Sequence, residues 1–195
     1  MSHYYTKTND QLDSLKRNVQ FKIHDHLFQM TTDKGVFSKS GLDFGTRVLL
    51  ETISIQPHET VLDLGCGYGA MGLVINSLFR SSVTLVDINQ RAVQLTKENA
   101  EKLKLNVTVF QSDGFSNVNG TFDVIVTNPP IRAGKAVIYR WFESAKTYLN
   151  DNGRLILVIN QNQGAPSAIT FLKEQYQTVD ILDKKSGFYV ISCQK

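Results

Sequence analysis

Short apolar runs rich in β-branched residues alternate with longer segments of helical periodicity from residue 59 onward. In the longer segments, apolar residues recur at the 3.6-residue period of a helix with one buried face. Strands that alternate with helices in this way indicate a doubly wound, parallel α/β sheet. The predicted strands are residues 60–65, 82–87, 106–110, 122–127 and 154–159, and the predicted helices are residues 70–79, a segment that Asn89 can cap, residues 135–149 and residues 166–176.

The last two apolar runs, residues 179–182 and 187–192, are separated only by residues 183–186. A parallel pairing needs a crossover of about a dozen residues or more, so these two strands must form an antiparallel hairpin. Such a hairpin at the end of the sheet is unusual for a nicotinamide-binding fold and normal for a methyltransferase.

The first 58 residues are less regular. Residues 42–53 predict a helix that covers the sheet, and residues 21–23 and 27–30 alternate as short strands. We expect residues 1–58 to be an N-terminal extension of the domain whose catalytic core is residues 59–195, so that the chain forms a single domain.

Composition narrows the class of protein. A chain of 195 residues with 42% hydrophobic and 20% charged residues can bury one core of ordinary size. No apolar run approaches the roughly 18 residues that span a bilayer, and the first residues lack the apolar region of a secretory signal. Two cysteines make neither a disulfide framework nor a metal cluster. These features predict a cytoplasmic enzyme or binding protein without a metal. The net charge of +3 is too small to indicate a class of partner by itself.

A glycine-rich turn, Gly65-Cys66-Gly67-Tyr68-Gly69, follows the first strand of the core and opens a helix. Glycines there allow a tight turn and let the backbone approach a ligand without a Cβ in the way. Asp87 ends the second strand, where its carboxylate can accept hydrogen bonds from both hydroxyls of a ribose. Together these features predict an adenosine-type ligand across the carboxyl ends of the sheet.

The kind of adenosine ligand is less settled, because Gly65, Gly67 and Ala70 also satisfy the dinucleotide pattern G-x-G-x-x-G/A. Asp63, inside the strand before the turn, would repel a pyrophosphate but suits the ammonium and sulfonium end of S-adenosylmethionine. Asp113, after the third strand, can accept the exocyclic amine of adenine. These carboxylates favour the methyl donor, and a dinucleotide or a purely structural turn are the alternatives.

The motif Asn128-Pro129-Pro130-Ile131 ends the fourth strand, beside the expected methyl donor. An exocyclic amine on a base is a poor nucleophile, because its lone pair is delocalised into the ring. The Asn128 side-chain oxygen and the Pro129 carbonyl can both accept its N–H groups, which aims the lone pair and disperses the developing charge. The prolines fix φ, and Ile131 can cover the flat face of the base. The alternative is a strand that merely ends in a proline-rich turn.

These motifs resemble those of the small-domain class I methyltransferases related to bacterial guanine-N2 methyltransferases of small-subunit ribosomal RNA. The NPPIRAGK block at residues 128–135 separates this family from NPPY enzymes that modify adenine or glutamine side chains. The resemblance covers almost the whole chain, in residues 3–6, 32–39, 43–50, 62–69, 87–92, 128–135 and 163–168.

The resemblance implies a mostly parallel seven-stranded sheet in the order 3-2-1-4-5-7-6, with strand 7 antiparallel. It implies S-adenosylmethionine as donor and S-adenosylhomocysteine as product, with Asn128 orienting the nucleophile. The donor contacts expected from the resemblance and the adjoining loop residues are Asp63, Gly65, Cys66, Gly67, Asp87, Ile88 and Asp113.

The acceptor expected from the resemblance is N2 of a guanine in 16S ribosomal RNA or the 30S subunit, with Phe37, Arg132 and Lys135 as substrate-binding residues. Some relatives carry a second, degenerate copy of the fold, which we do not expect here. Relatives also often carry lysines where this chain has Asn160, Gln161 and Asn162. Two alternatives remain at this point: a methyltransferase of a protein or small-molecule nitrogen, and a non-catalytic RNA-binding assembly factor.

Overall fold

The sheet predicted from the alternating pattern is present in the computed structural model, which describes residues 6–8, 12–38 and 41–195. Residues 3–5 and 39, which belong to two of the family motifs, lie outside the described residues. The strands are β1 Arg17–Ile23, β2 His26–Thr32, β3 Thr60–Leu64, β4 Ser82–Asp87, β5 Thr108–Gln111, β6 Phe122–Thr127, β7 Leu149–Asn160, β8 Thr178–Lys185 and β9 Phe188–Gln194. The α-helices are α1 Phe44–Thr52, α2 Ala70–Phe79, α3 Gln90–Leu103, α4 Lys135–Ala145 and α5 Ala165–Gln175.

Seven strands form one sheet in the order β5-β4-β3-β6-β7-β9-β8. Neighbours from β5 to β7 are parallel, and β9 runs antiparallel to both β7 and β8. Ser186 and Gly187 join β8 to β9 with φ values of 49° and 80°, the left-handed backbone that a two-residue hairpin turn requires. The predicted fold class, strand order and terminal hairpin are therefore confirmed.

Helices cover both faces of this sheet, because alternate residues of a strand point to opposite sides. On β3, Val61 belongs to one buried cluster and Leu62 to the other. The first cluster contains the buried faces of α1, α2 and α3, and the second contains those of α4 and α5. Both faces of the central strands are therefore buried, as is usual for a parallel sheet.

The N-terminal strands form an antiparallel hairpin that is longer than the pattern predicted. Apart from the exposed Leu27, their outward positions are polar, so only the inward residues, such as Phe21 and Phe28, carried a signal. The hairpin is fastened to α3 by Asn99, which accepts from Thr31 N at 2.7 Å and donates to Thr31 O at 2.8 Å. Its inward residues belong to the same buried cluster as α1 and α2.

The boundary between α4 and β7 differs from the prediction. The helix ends at Ala145 instead of continuing to residue 149, and a 3-10 turn, Lys146–Tyr148, leads directly into β7. The strand begins at Leu149 because a register irregularity between Phe122 and Val124 lets it pair with β6 earlier. Within the described ranges, no helix has the length and apolar character needed to cross a membrane.

Candidate active site

A cavity opens at the carboxyl ends of β3, β4 and β6, where the chain order in the sheet reverses direction. Open α/β sheets bind ligands in this crevice, since loops diverge there to opposite faces. The lining residues come from five segments that contain predicted site residues and from helix α4: Val36, Phe37, Leu64, Gly65, Gly67, Val86, Asp87, Ile88, Asn89, Ala92, Ser112, Gly114, Asn128, Pro129, Pro130 and Trp141.

The glycine turn between β3 and α2 forms the floor of this cavity. Gly65 and Gly67 have φ values of 80° and 59°, which side chains rarely adopt. A Cβ on Gly65 would also lie 3.3 Å from the Trp141 ring. The amides of Gly65 and Cys66 both donate to Val86 O at 2.9 Å, which ties the turn to the end of β4.

Asp63 lies under the turn and is fully buried. Its Oδ2 accepts a hydrogen bond from Gly72 N at 2.7 Å, whereas its Oδ1 has no partner among the described residues. Burial raises the pKa of Asp63 to about 7, opposed by the Gly72 hydrogen bond and assisted by the charge of Asp87. The side chain lines a second cavity that adjoins the first at Gly65 and Asn128. A buried carboxylate oxygen without a partner is costly unless a ligand supplies a donor or a cation.

Asp87 holds the other end of the turn. Its Oδ2 accepts from Gly67 N and its Oδ1 accepts from Asn89 N, each at 2.8 Å. Desolvation raises the pKa of Asp87 to about 6, although these backbone hydrogen bonds lower it. Each carboxylate oxygen retains a lone pair, so the group can accept from two neighbouring hydroxyls of a ligand. Ile88 lies beside it on the cavity wall.

Asn128 stands where the two cavities meet, at the end of β6. Its Nδ2 donates to Asp43 Oδ2 and to Thr46 Oγ1, both at 2.9 Å. Both hydrogen bonds use the nitrogen end of the amide, so the carbonyl oxygen is available to accept from a ligand. Pro129 and Pro130 are buried and continue the wall of the first cavity.

Phe37 lines both cavities, and Cys66 lines only the second. The Cys66 Sγ lies 3.6 Å from Thr96 Oγ1, and burial raises the pKa of its thiol well above the usual value. A thiol that stays protonated is not a nucleophile. Cys66 therefore contributes shape to the second cavity.

Four predicted site residues lie outside both cavities. Asp113 is exposed, although its neighbours Ser112 and Gly114 line the first cavity. Ile131 and Lys135 border a separate cavity beside α4 and α5, where Lys135 Nζ sits 4.9 Å from the centre of the Tyr139 ring. Arg132 is exposed on the short 3-10 turn between them.

Three residues of the site had no assigned role from sequence. Trp141 lies within the helix predicted at residues 135–149; it lines the first cavity, and a Cβ on Gly114 would lie 2.7 Å from its Nε1. Asp43 and Thr46 lie in a family motif but contact Asn128, which is distant in sequence. Helical periodicity could not reveal any of these contacts. Across the described ranges, no group of three or more His, Cys, Asp or Glu side chains could hold a metal ion.

Residues 27–192 match the family model of the methyltransferase small domain. The chain belongs to this family. It is 43% identical over 200 residues to the uncharacterized protein YbxB of Bacillus subtilis (strain 168), covering 100% of both chains. It is 36% identical over 163 residues to ribosomal RNA small subunit methyltransferase C of Haemophilus influenzae (strain 86-028NP), covering 81% of this chain and 48% of that protein.

A solved structure of similar fold is that of the T. thermophilus 16S rRNA N2 G1207 methyltransferase in complex with AdoMet and guanosine. It superposes with a TM-score of 0.83 at 27% identity, covering 94% of this chain and 52% of that chain. This chain therefore spans about half the length of the ribosomal RNA methyltransferases that it matches.

Proposed function

We propose that this protein transfers a methyl group from S-adenosylmethionine to the exocyclic N2 of a guanine in small-subunit ribosomal RNA. The observation that carries the proposal is the Asn128 amide. Its nitrogen end is bound to Asp43 and Thr46, which leaves an oxygen acceptor at the junction of the two cavities.

The residues around the glycine turn fit the donor. Asp63 Oδ1, a buried oxygen that has no partner among the described residues, would accept the ammonium group, and Asp87 would accept the ribose hydroxyls. Ile88 and Trp141 give apolar walls for the adenine, and Asp113 is the proposed acceptor for its amine. When bound, S-adenosylmethionine supplies an electrophilic methyl group on a sulfonium and leaves as S-adenosylhomocysteine.

Asn128 and Pro129 would act on the acceptor amine. The Asn128 side-chain oxygen and the Pro129 carbonyl accept its two N–H groups, so that the nitrogen lone pair faces the methyl carbon. The two acceptors also stabilise the positive charge that develops on the nitrogen before it loses a proton. Correct orientation of two reactants can lower a barrier by about 7–11 kcal/mol. The adjacent prolines keep φ fixed, so the Pro129 carbonyl cannot swing away.

The proposal that the acceptor is RNA draws on the relatives and on the residues around the site. Phe37, which lines both cavities, offers an aromatic face on which a base can stack. Arg132 and Lys135 follow the NPPI motif and are both exposed, so they can contact phosphates next to the target nucleotide. These three residues are the proposed substrate contacts.

Transfer of labelled methyl groups tests the function directly. The protein is incubated with labelled donor and with 30S subunits, or 16S RNA, from cells that lack it, and nucleosides are then analysed by mass spectrometry. We expect N2-methylguanosine in the RNA, and Asn128→Ala should lower transfer by about 10²–10³-fold while donor affinity survives. If the label were found only in protein or in a small molecule, that class of molecule and not RNA would be the substrate. Calorimetry without any donor binding would instead favour a non-catalytic assembly factor.

A further inference from the structure

The direction of the Asn128 amide is set by two residues at the start of helix α1, the N-cap Asp43 and Thr46. An asparagine amide presents an acceptor at one end and two donors at the other, and the two ends have nearly the same shape. Asp43 has a carboxylate, which accepts hydrogen bonds and cannot donate them when it is ionised. The end of Asn128 that lies 2.9 Å from Asp43 Oδ2 must therefore be the NH₂ group. Thr46 Oγ1 accepts from the same nitrogen at 2.9 Å.

These two partners are themselves held firmly. Asp43 is the N-cap of α1, and the Oδ2 atom that receives Asn128 also accepts from Thr46 N at 3.0 Å. Thr46 is only 6% exposed. Gly45 between them packs so closely on β9 that a Cβ there would lie 2.9 Å from the Phe188 ring. The start of α1 is thus fixed against the sheet, and so is the position of both acceptors.

We propose that Asp43 and Thr46 are positioning residues of the methyl transfer, because they fix the Asn128 amide with its oxygen toward the acceptor amine. This inference rests on the proposed function. A reversed amide would present N–H groups to the amine and compete for its lone pair. The Asp43 carboxylate also polarises the amide that it binds, which strengthens the acceptor oxygen at the other end.

Thr46→Val is the sharpest variant, because it keeps the shape of the side chain and removes only the acceptor. We expect kcat at saturating donor to fall about 10-fold, the effect of one lost hydrogen bond of ordinary strength. The dissociation constant of S-adenosylhomocysteine should stay within about twofold, since Asp63 and Asp87 are unchanged. Thr46→Ser, which restores the hydroxyl, should recover most of kcat. Thr52→Val makes the same change at the far end of α1 and should leave kcat unchanged.

Asp43 requires a variant that preserves the helix cap. Asp43→Ser retains a good N-cap residue but is too short to reach Asn128, so kcat should fall more than 10-fold while the melting temperature changes little. Asp43→Asn keeps an acceptor oxygen and should lose less activity than Asp43→Ser. Wild-type kcat in Asp43→Ser, which keeps the cap and loses the contact, would indicate that the cap, and not the contact with Asn128, supports activity.

A double-mutant cycle separates positioning from a general structural effect. In single-turnover assays, Thr46→Val should cost nothing further once Asn128 is replaced by alanine. A 10-fold loss in both backgrounds would overturn the inference, as would wild-type kcat in Thr46→Val.

Nuclear magnetic resonance gives a readout that needs no RNA. The side-chain NH₂ protons of Asn128 should exchange with water more slowly in the wild type than in Thr46→Val. Equal exchange rates would also overturn the inference. Failure of the proposed function is distinguishable, because it appears in the wild type as an absence of N2-methylguanosine. The variants are then assayed with whichever amine the wild type methylates, while the exchange measurement stands by itself.

Discussion

The protonation of Asp63 links the stability of the empty protein to the binding of its proposed donor. Its pKa is raised to about 7 in the folded state because the carboxyl is buried, whereas an unfolded aspartate has a pKa near 3.8. The folded protein therefore holds a proton that the unfolded chain releases. This contribution to stability is complete below about pH 4 and is lost as pH rises through 7.

Asp63→Asn removes this dependence. Between pH 5 and pH 8 the free energy of unfolding of the wild type should fall relative to the variant by ~3 kcal/mol. Urea unfolding at the two pH values measures the difference. Asp151→Asn, which changes an exposed carboxylate, should behave as the wild type does. A difference between wild type and Asp63→Asn that does not vary with pH would contradict the raised pKa.

The affinity for the ligand should rise with pH, whereas the free energy of unfolding of the empty protein should fall. Only the ionised Asp63 attracts the ammonium group of S-adenosylhomocysteine, so wild-type affinity should rise between pH 5.5 and 7.5 as the carboxyl loses its proton. Calorimetry in two buffers of different ionisation enthalpy should detect proton release at pH 6. Asp63→Asn should bind at least 10-fold more weakly and show a smaller rise, since only Asp87, with its pKa of about 6, still loses a proton in this range. Affinity that is flat with pH in the wild type would place the ammonium elsewhere.

At the scale of elements, the contact between α2 and β4 has no room for a side chain at Gly72. A Cβ there would lie 2.5 Å from Leu85 Cδ2 and 2.9 Å from Asp63 Oδ2, and Leu85 is fully buried. Alanine gains about 1 kcal/mol of helix propensity over glycine, but overpacking a rigid core costs about 1–3 kcal/mol. The cost of overpacking should therefore exceed the gain in helix propensity.

Gly72→Ala should therefore lower the free energy of unfolding by roughly 1–2 kcal/mol and weaken donor binding, because the shifted helix moves the amide that holds Asp63. Denaturant unfolding and calorimetry measure the two effects. Ser77→Ala, on the exposed side of the same helix, should change stability by less than about 0.5 kcal/mol. A stabilised Gly72→Ala would show that α2 can move away from β4.

Elements with a complete local signal were predictable, and those fixed by distant contacts were not. The apolar runs of β3, β4 and β6 and the glycines after β3 identify both the sheet and the turn. The predicted start of β7 was wrong, because the true start depends on an irregular pairing with β6 that no periodicity encodes.

The residues of the candidate site likewise fall into those that the sequence predicted and those that it could not. The motif residues Asp63, Asp87 and Asn128 come together because the carboxyl ends of neighbouring strands meet. The hydrogen bonds from Asn128 to Asp43 and Thr46 join residues more than eighty positions apart, so the sequence could supply the motif but not the pairing.

At the scale of the whole molecule, the proposed RNA contacts lie only at the end of the sheet where the parallel strands have their carboxyl ends. Arg132 and Lys135 follow β6 at its carboxyl end, next to the cavity. Lys102 and Lys173 lie in the last turns of α3 and α5, which run back toward the opposite edge. The net charge of +3 is small, so RNA binding should depend on where the cations lie more than on their number.

Replacing Arg132 and Lys135 together by alanine should raise KM for RNA several-fold and leave kcat nearly unchanged, because phosphate contacts hold the substrate without touching the reacting amine. Each lost contact should also reduce the dependence of log affinity on log salt concentration by about 0.7–0.9. The pair Lys102→Ala and Lys173→Ala removes the same charge and should change neither quantity by more than about twofold. Equal effects from the two pairs would mean that RNA responds only to the net charge, and a loss of kcat with the first pair would place these cations at the reacting base.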